Sequence, residues 1–484
     1  MPLAGIKNIV ALGNNSFFRQ IGNYGYIIDQ HTRKDRLYDP SGRVFLEQFS
    51  RKPRAVADMI EGALSVFQDA PRERVENDFA AFVRELEEEG FVVTGKDPDD
   101  VDRKQVRFSY DVKDGKTYPN TSIERQKQYT DTTEFFAEHF RDNPFIMSFQ
   151  FETTSRCNER CRHCYLPHER DMRDMPASLV FSLLDQLREM GTIGVTFSGG
   201  ECLLHPNMKD FLLKARENDF SISVLSNLTM LDDPLLDVLR EVNLNLLQVS
   251  VYSMDPEEHD WITQLPGSHR KTMEAVERLV EADVPVQISC PTMRKNFRSY
   301  KGVLEWAYQR RIKAYTDHIM MGRVDGTTDN LDNRMDQEET EILIREMLET
   351  DIEYRTIISA SDEFSLPEGY ETQPVCGAGV DSLCVAANGQ FFPCSGFQGY
   401  PLGNASTQTV REVWESSPEI IRIRGVRWKD FPKCVDCDAK PFCSVCMVRN
   451  LNETGDLFTP SEVYCKTAFL NKRLVEEFKT KHPR

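Results

Sequence analysis

Cys157, Cys161 and Cys164 sit within Thr154-Ser-Arg-Cys-Asn-Glu-Arg-Cys-Arg-His-Cys-Tyr165. Three thiolates on one tight loop can hold three corners of a cubane iron–sulfur cluster, whereas clusters that only pass electrons usually take four protein thiolates. The fourth iron is then open to a small molecule, by the logic that separates catalytic from structural zinc sites. A zinc knuckle is the other metal chemistry this spacing admits. A second constellation runs Cys376, Cys384, Cys394, then Cys434, Cys437, Cys443, Cys446, then Cys465. Eight cysteines in so short a tract exceed ordinary usage and require a metal, whether iron–sulfur or zinc.

Between these sets lies Ser198-Gly-Gly-Glu201. Gly199 and Gly200 let backbone approach a ligand closely, and the Glu201 carboxylate accepts hydrogen bonds from an ammonium. Ser226, Asn227 and Ser250 fall at strand ends, where hydroxyl and amide groups suit either polar ligand contacts or ordinary caps. Arg294 suits a carboxylate partner or a surface salt bridge. No general base is assigned, since any Asp, Glu or Tyr facing the site would serve.

The elements that must position these residues follow from hydrophobic patterning. Apolar runs at Phe145 to Phe151, Gly194 to Phe197, Phe220 to Leu225, Leu246 to Ser250, Val284 to Ser289 and Ala314 to Ile319 predict strands, separated by helical segments. One such helix starts near Pro176, with Leu179, Leu183, Leu187 and Met190 on one face. Alternation of strand and helix predicts an α/β fold with a parallel sheet. In such folds reactive groups sit on loops after the C-terminal ends of strands, and the cysteine loop follows the first strand.

The 484 residues allow several domains, and 40% hydrophobic with 28% charged residues is a globular composition. A formal charge of −18 disfavours nucleic-acid binding through a broad basic surface. No membrane span or signal peptide is expected, and thirteen cysteines in a cytoplasmic chain favour metal sites over disulfides.

The Cys157 loop resembles the C-x3-C-x-aromatic-C signature of radical SAM enzymes, with His163 in the aromatic slot. The resemblance implies a [4Fe-4S] cluster whose open iron chelates S-adenosyl-L-methionine, and a 5′-deoxyadenosyl radical that abstracts hydrogen from substrate. It also implies a partial (β/α)6 barrel, a methionine-amino contact at Gly199, Gly200 and Glu201, and further contacts at Ser226, Asn227, Ser250 and Arg294. Cys202 stands where many relatives carry proline, either packed or chemically used. The C-terminal tract, with Cys376-Gly-Ala-Gly and Asn388-Gly-Gln-Phe-Phe-Pro-Cys394, resembles the SPASM extension, which holds two auxiliary [4Fe-4S] clusters. Carried over, Cys376, Cys394 and Cys446 belong to the first, with Cys384 as fourth ligand or as a packed residue, and Cys434, Cys437, Cys443 and Cys465 hold the second.

At the N-terminus Tyr24 to Asp29 and Arg36 to Pro40 predict strands, the latter ending in a turn. Val56 to Phe67 and Val75 to Leu86 carry helical periodicity before Gly90. This resembles the winged-helix RiPP recognition element, which takes a leader peptide as an added strand; a plain structural domain or a DNA-reading winged helix are the alternatives. Expected boundaries are 1–95 for this unit, 96–143 for a linker beginning at Lys96-Asp-Pro-Asp-Asp100, 144–335 for the barrel, 336–375 for a bridging helical region and 376–484 for the cysteine-rich domain. A helix is expected near Thr133 to Phe140, and Asp325 to Arg334 as a loop at the barrel mouth.

Together these resemblances imply a radical SAM/SPASM peptide maturase that binds a precursor peptide by its leader and installs crosslinks, with cysteine thioethers first. Carbon–carbon crosslinking, sulfatase-maturase-like oxidation of a single residue and a non-catalytic iron–sulfur electron-transfer or sensor protein are the alternatives. A flavodoxin- or ferredoxin-type electron donor is the second expected partner.

Overall fold

A computed structural model describes residues 8–109, 132, 135–136, 143–169, 171–361, 368–443 and 445–482. The helix expected near Thr133 to Phe140 falls largely outside them.

The N-terminal domain contains two small sheets. In one, β1 (Ile9–Leu12) lies between β5 (Arg54–Ala55) and β6 (Val92–Gly95); in the other, β2 (Ser16–Ile21), β3 (Tyr24–Asp29) and β4 (Asp35–Tyr38) form a meander. Helices Val56–Val66 and Arg72–Glu89 match the sequence periodicity, and Gly90 ends the second in the left-handed conformation at φ 87°. β1 and β2 were not expected. The predicted turn at Asp39-Pro40 instead opens helix Pro40–Leu46: Asp39 caps it by accepting from the Gly42 amide, and proline occupies the first turn, where its missing N–H costs nothing.

Lys96 to Asp100 does not begin a linker either. Asp97 caps helix Pro98–Lys104 by accepting from the Asp100 amide, and Val101 is fully buried. Gln105 then bonds back to the Asn14 amide and the Leu12 carbonyl, fastening this segment to the N-terminal domain.

The central strands are β7 (Ser148–Thr154), β8 (Gly194–Gly199), β9 (Ser221–Ser226), β10 (Leu246–Ser250), β11 (Gln287–Pro291) and β12 (Lys313–Asp317). They run parallel in sequence order, each neighbouring the next. Side chains alternate across the sheet: Phe149, Phe151, Val195 and Phe197 join the core under the helices, which puts Gln150, Glu152, Thr196 and Ser198 on the inner face. Helix Ala177–Glu189 buries Val180, Leu183, Leu184 and Leu187, so the buried stripe includes the expected Leu183 and Leu187.

Five helix-to-strand turns repeat one device, a left-handed residue just past the helix: Gly191, Asp219, Asn243, Asp283 and Arg311. Two of them receive the N-terminal domain. Asp219 pairs with Arg19 and Arg51, and the Asn243 side chain donates to the Asn14 carbonyl and accepts from the Phe108 amide. Arg19, 2% exposed, also donates to the Thr192 carbonyl. All these barrel positions precede strands, so this domain is docked on the end of the barrel opposite the cysteine loop.

The sheet does not close. β7 pairs on its other side, in parallel, with β13 (Ser382–Val385), followed by β14 (Gln390–Phe392) and β15 (Gly403–Asn404) in antiparallel order. The cysteine-rich domain therefore extends the barrel sheet to nine strands. Among the described residues no helix is long and apolar enough to cross a membrane.

Candidate functional site

The cysteine loop leaves β7 and rests on the end of β8. Gly199 (φ 142°) and Gly200 bring the two backbones together: the Gly200 amide donates to the Thr154 carbonyl and the Glu201 amide to the Arg156 carbonyl, each at 2.8 Å. Arg156 is fixed in turn by both oxygens of Asp174 and by the Leu204 carbonyl. The Gly-Gly pair thus shapes the loop that presents the three thiols.

Those thiols are close enough to influence one another, with Cys161 feeling both Cys157 and Cys164. Burial pushes the Cys157 thiol up to about 12, so thiolates form there when a metal displaces the proton. The far side of the loop is braced by residues after β12: the Val324 amide donates to the Tyr165 carbonyl, and the Asn330 side chain to the His163 and Met321 carbonyls. The expected mouth loop therefore supports the cysteines.

Glu201 is 1% exposed, and its carboxylate accepts from the Ser226 hydroxyl at 2.8 Å, the Asn227 amide at 2.7 Å and the Leu203 amide at 2.9 Å. Burial raises its pKa while these bonds oppose the rise. Ser226 and Asn227 thereby hold Glu201, and the Asn227 side chain also donates to Asn158 on the cysteine loop. Ser250 precedes Tyr252 by two residues, and the Tyr252 hydroxyl lies 3.8 Å from Cys161 Sγ and 3.5 Å from His163 Nε2. The Arg294 guanidinium pairs with Glu339 and donates to the Asp332 carbonyl. Cys202 is buried with its thiol 3.4 Å from the Leu225 carbonyl, a packed position.

Sequence reasoning passed over Tyr252 and Glu159. Glu159 lies between two of the cysteines, accepts from the Cys161 thiol at 3.3 Å, and is pushed by burial up to about 7. Its place inside the motif was the available signal. Tyr252 follows Ser250 by two residues, and Asn296 secures it by donating to its carbonyl at 2.7 Å.

In the C-terminal domain Cys376, Cys394 and Cys446 come together. Cys384 is buried on β13 opposite Gln150 of β7, so parallel register puts it on the barrel's inner face, near Glu152 and Cys394. Cys434, Cys437, Cys443 and Cys465 ring a cavity of about 150 Å³. Thiols spread around a void fit a cluster.

Residues 151–307 match the Radical SAM superfamily, and residues 376–438 match SPASM, an iron-sulfur cluster-binding domain. The protein is a radical SAM enzyme. Its cofactors are S-adenosyl-L-methionine and [4Fe-4S] clusters, one binding SAM and the others auxiliary, and the chemistry they supply is radical generation from SAM. The radical SAM enzyme is 25% identical to the AdoMet-dependent heme synthase of Methanosarcina barkeri, over 65% of this chain and 95% of that protein. It is 22% identical to the PqqA peptide cyclase of Granulibacter bethesdensis, over 64% of this chain and 85% of that one. Its fold resembles SuiB of Streptococcus suis, solved with precursor peptide SuiA, at TM-score 0.63 and 17% identity, covering 94% of this chain and 99% of that one.

Proposed function

We propose that this radical SAM enzyme is a peptide maturase that grips the leader of a ribosomally made precursor and crosslinks its core. The observation that carries this reading is the edge of the N-terminal domain. β4 has a single strand neighbour among the described residues and runs beside helix Arg72–Glu89, where the Tyr38 ring meets Phe82 at 4.8 Å and Arg36 pairs with Glu89. A strand edge next to a helix is where a peptide adds as a further strand. The likeness to SuiB extends over this domain, and the PqqA cyclase likeness supports a peptide substrate.

In this reading Glu201, Ser226, Asn227 and Ser250 hold SAM against the Cys157 loop, and a flavodoxin or ferredoxin donates the electron. The bond we favour is a cysteine thioether. Cys376, Cys394 and Cys446 then form a three-thiolate set beside the inner barrel face, leaving room for a substrate thiolate, with Cys384 as a lining residue. The PqqA cyclase likeness favours carbon–carbon crosslinking as the second reading. Both remove two hydrogens, and thiol alkylation of the product separates them.

The reconstituted enzyme with SAM and a strong reductant is expected to release 5′-deoxyadenosine, and absence of that product would sink the radical assignment. Removing residues 1–109 is expected to weaken precursor binding at least tenfold while iron content holds. Unchanged affinity would defeat leader capture.

A further inference from the structure

Tyr252 is 4% exposed, and its backbone is pinned from several sides. Its carbonyl accepts from the Asn296 side chain at 2.7 Å and from the Cys290 thiol at 3.7 Å, while its amide donates to His259 Nδ1 at 3.4 Å. The ring meets that of His163 edge-on at 5.0 Å and packs with Ile262, Met293 and Met320. So held, the phenol ends with its hydroxyl 3.8 Å from Cys161 Sγ and 3.5 Å from His163 Nε2.

A buried phenol normally finds a partner for its O–H. Among the described residues two side chains hydrogen-bond the Cys161 sulfur, Tyr252 as a donor to it and Glu159 as an acceptor from the thiol. A cluster takes Cys161 as thiolate, and that sulfur then has no proton to offer Glu159 and can only accept. The phenol keeps its proton at neutral pH and has it to give. Its oxygen can in turn accept from His163 Nε2, a tautomer that leaves Nδ1, without a partner among the described residues, as a bare lone pair and not as a stranded N–H. The order His163 Nε2–H, Tyr252 O–H, Cys161 Sγ gives both protons an acceptor.

We propose that Tyr252 is a positioning residue that acts through Cys161, its hydroxyl donating to the ligating sulfur and raising the reduction potential of the SAM-binding cluster. Hydrogen bonds to sulfur are among the determinants of such potentials. One-electron reduction adds a negative charge, which the donated hydrogen bond stabilises more than it does the oxidised form. The inference rests on the radical SAM assignment and not on the peptide substrate, so it and leader capture fail separately.

The test is an EPR-monitored redox titration of the full chain, reconstituted anaerobically. The signal missing from a chain carrying Cys157→Ala, Cys161→Ala and Cys164→Ala belongs to the SAM-binding cluster. Tyr252→Phe keeps the ring and is expected to lower the midpoint of that signal by about 59 mV, tenfold in the reduced-to-oxidised ratio, with the auxiliary signals in place. A 3-fluorotyrosine in place of Tyr252, a stronger donor of nearly the same shape, is expected to raise it. An unchanged midpoint in Tyr252→Phe at full iron content overturns the proposal, and so does an equal shift of the auxiliary signals, which a general structural change would produce. If Tyr252→Phe loses iron, the fluorinated chain decides: a raised midpoint supports the proposal and the parent value overturns it.

Discussion

Gly200 lies directly against Arg156: a Cβ added to it would stand 2.1 Å from the Arg156 carbonyl oxygen and 3.0 Å from Cys157 Cβ. Both neighbours are fixed, since that carbonyl accepts from the Glu201 amide. Gly200→Ala must therefore displace the cysteine loop itself. Overpacking of this kind costs ~1–3 kcal/mol, and the expected outcome is loss of one cluster's worth of iron together with SAM binding, read by iron assay and equilibrium dialysis.

Cys384 shares the inner sheet face with Gln150, and Cys394 is its thiol neighbour. Cys384→Ala is expected to leave iron content unchanged, whereas Cys394→Ala should remove the first auxiliary cluster. Equal iron loss in both variants would make Cys384 the fourth ligand and weaken the thioether reading.

The N-terminal domain and the cysteine loop occupy opposite ends of the barrel. The seven residues of β7 span ~20 Å, and an extended peptide covers at most ~3.5 Å per residue. If the proposed leader strand binds this domain, a precursor needs at least about six residues between that strand and the modified position. Shortening that spacer should abolish modification by mass spectrometry while leaving binding affinity intact; modification of a spacerless precursor would contradict this docking geometry.

His259 is 1% exposed, and its Nδ1 faces the Tyr252 amide at 3.4 Å. Burial, with His269 nearby, holds it down to about 4. A histidine depressed on folding is neutral in the native state, while the unfolded chain takes up a proton near pH 6.5. Its contribution is thus fully present above pH 6.5 and is lost as pH falls toward 4, by ~3 kcal/mol. Denaturant titrations of the apoprotein should show this acid-side slope, reduced in His259→Gln.

The barrel was legible because each strand–helix unit is local: its apolar run, helical stripe and left-handed turn lie within a few tens of residues. The N-terminal β1 and β2 were less legible, since Ile9–Leu12 is only four residues long and Ser16–Ile21 carries Arg19 and Gln20 among its apolar residues. Asp39-Pro40 and Asp97-Pro98 each combine a turn signal with a helix N-cap. Tertiary packing selected the cap in both cases, burying Val44 and Leu46 in the first helix and Val101 in the second.

By itself the sequence determined the chemistry, since a cluster needs thiolates at short spacing on one loop, and Cys157, Cys161 and Cys164 meet that need locally. Only the tertiary structure decided what surrounds them. Strand pairing and burial join residues far apart in the chain, and no local pattern encodes those partners. That is how β13 came to flank β7 and how Ser226 and Asn227 came to hold Glu201.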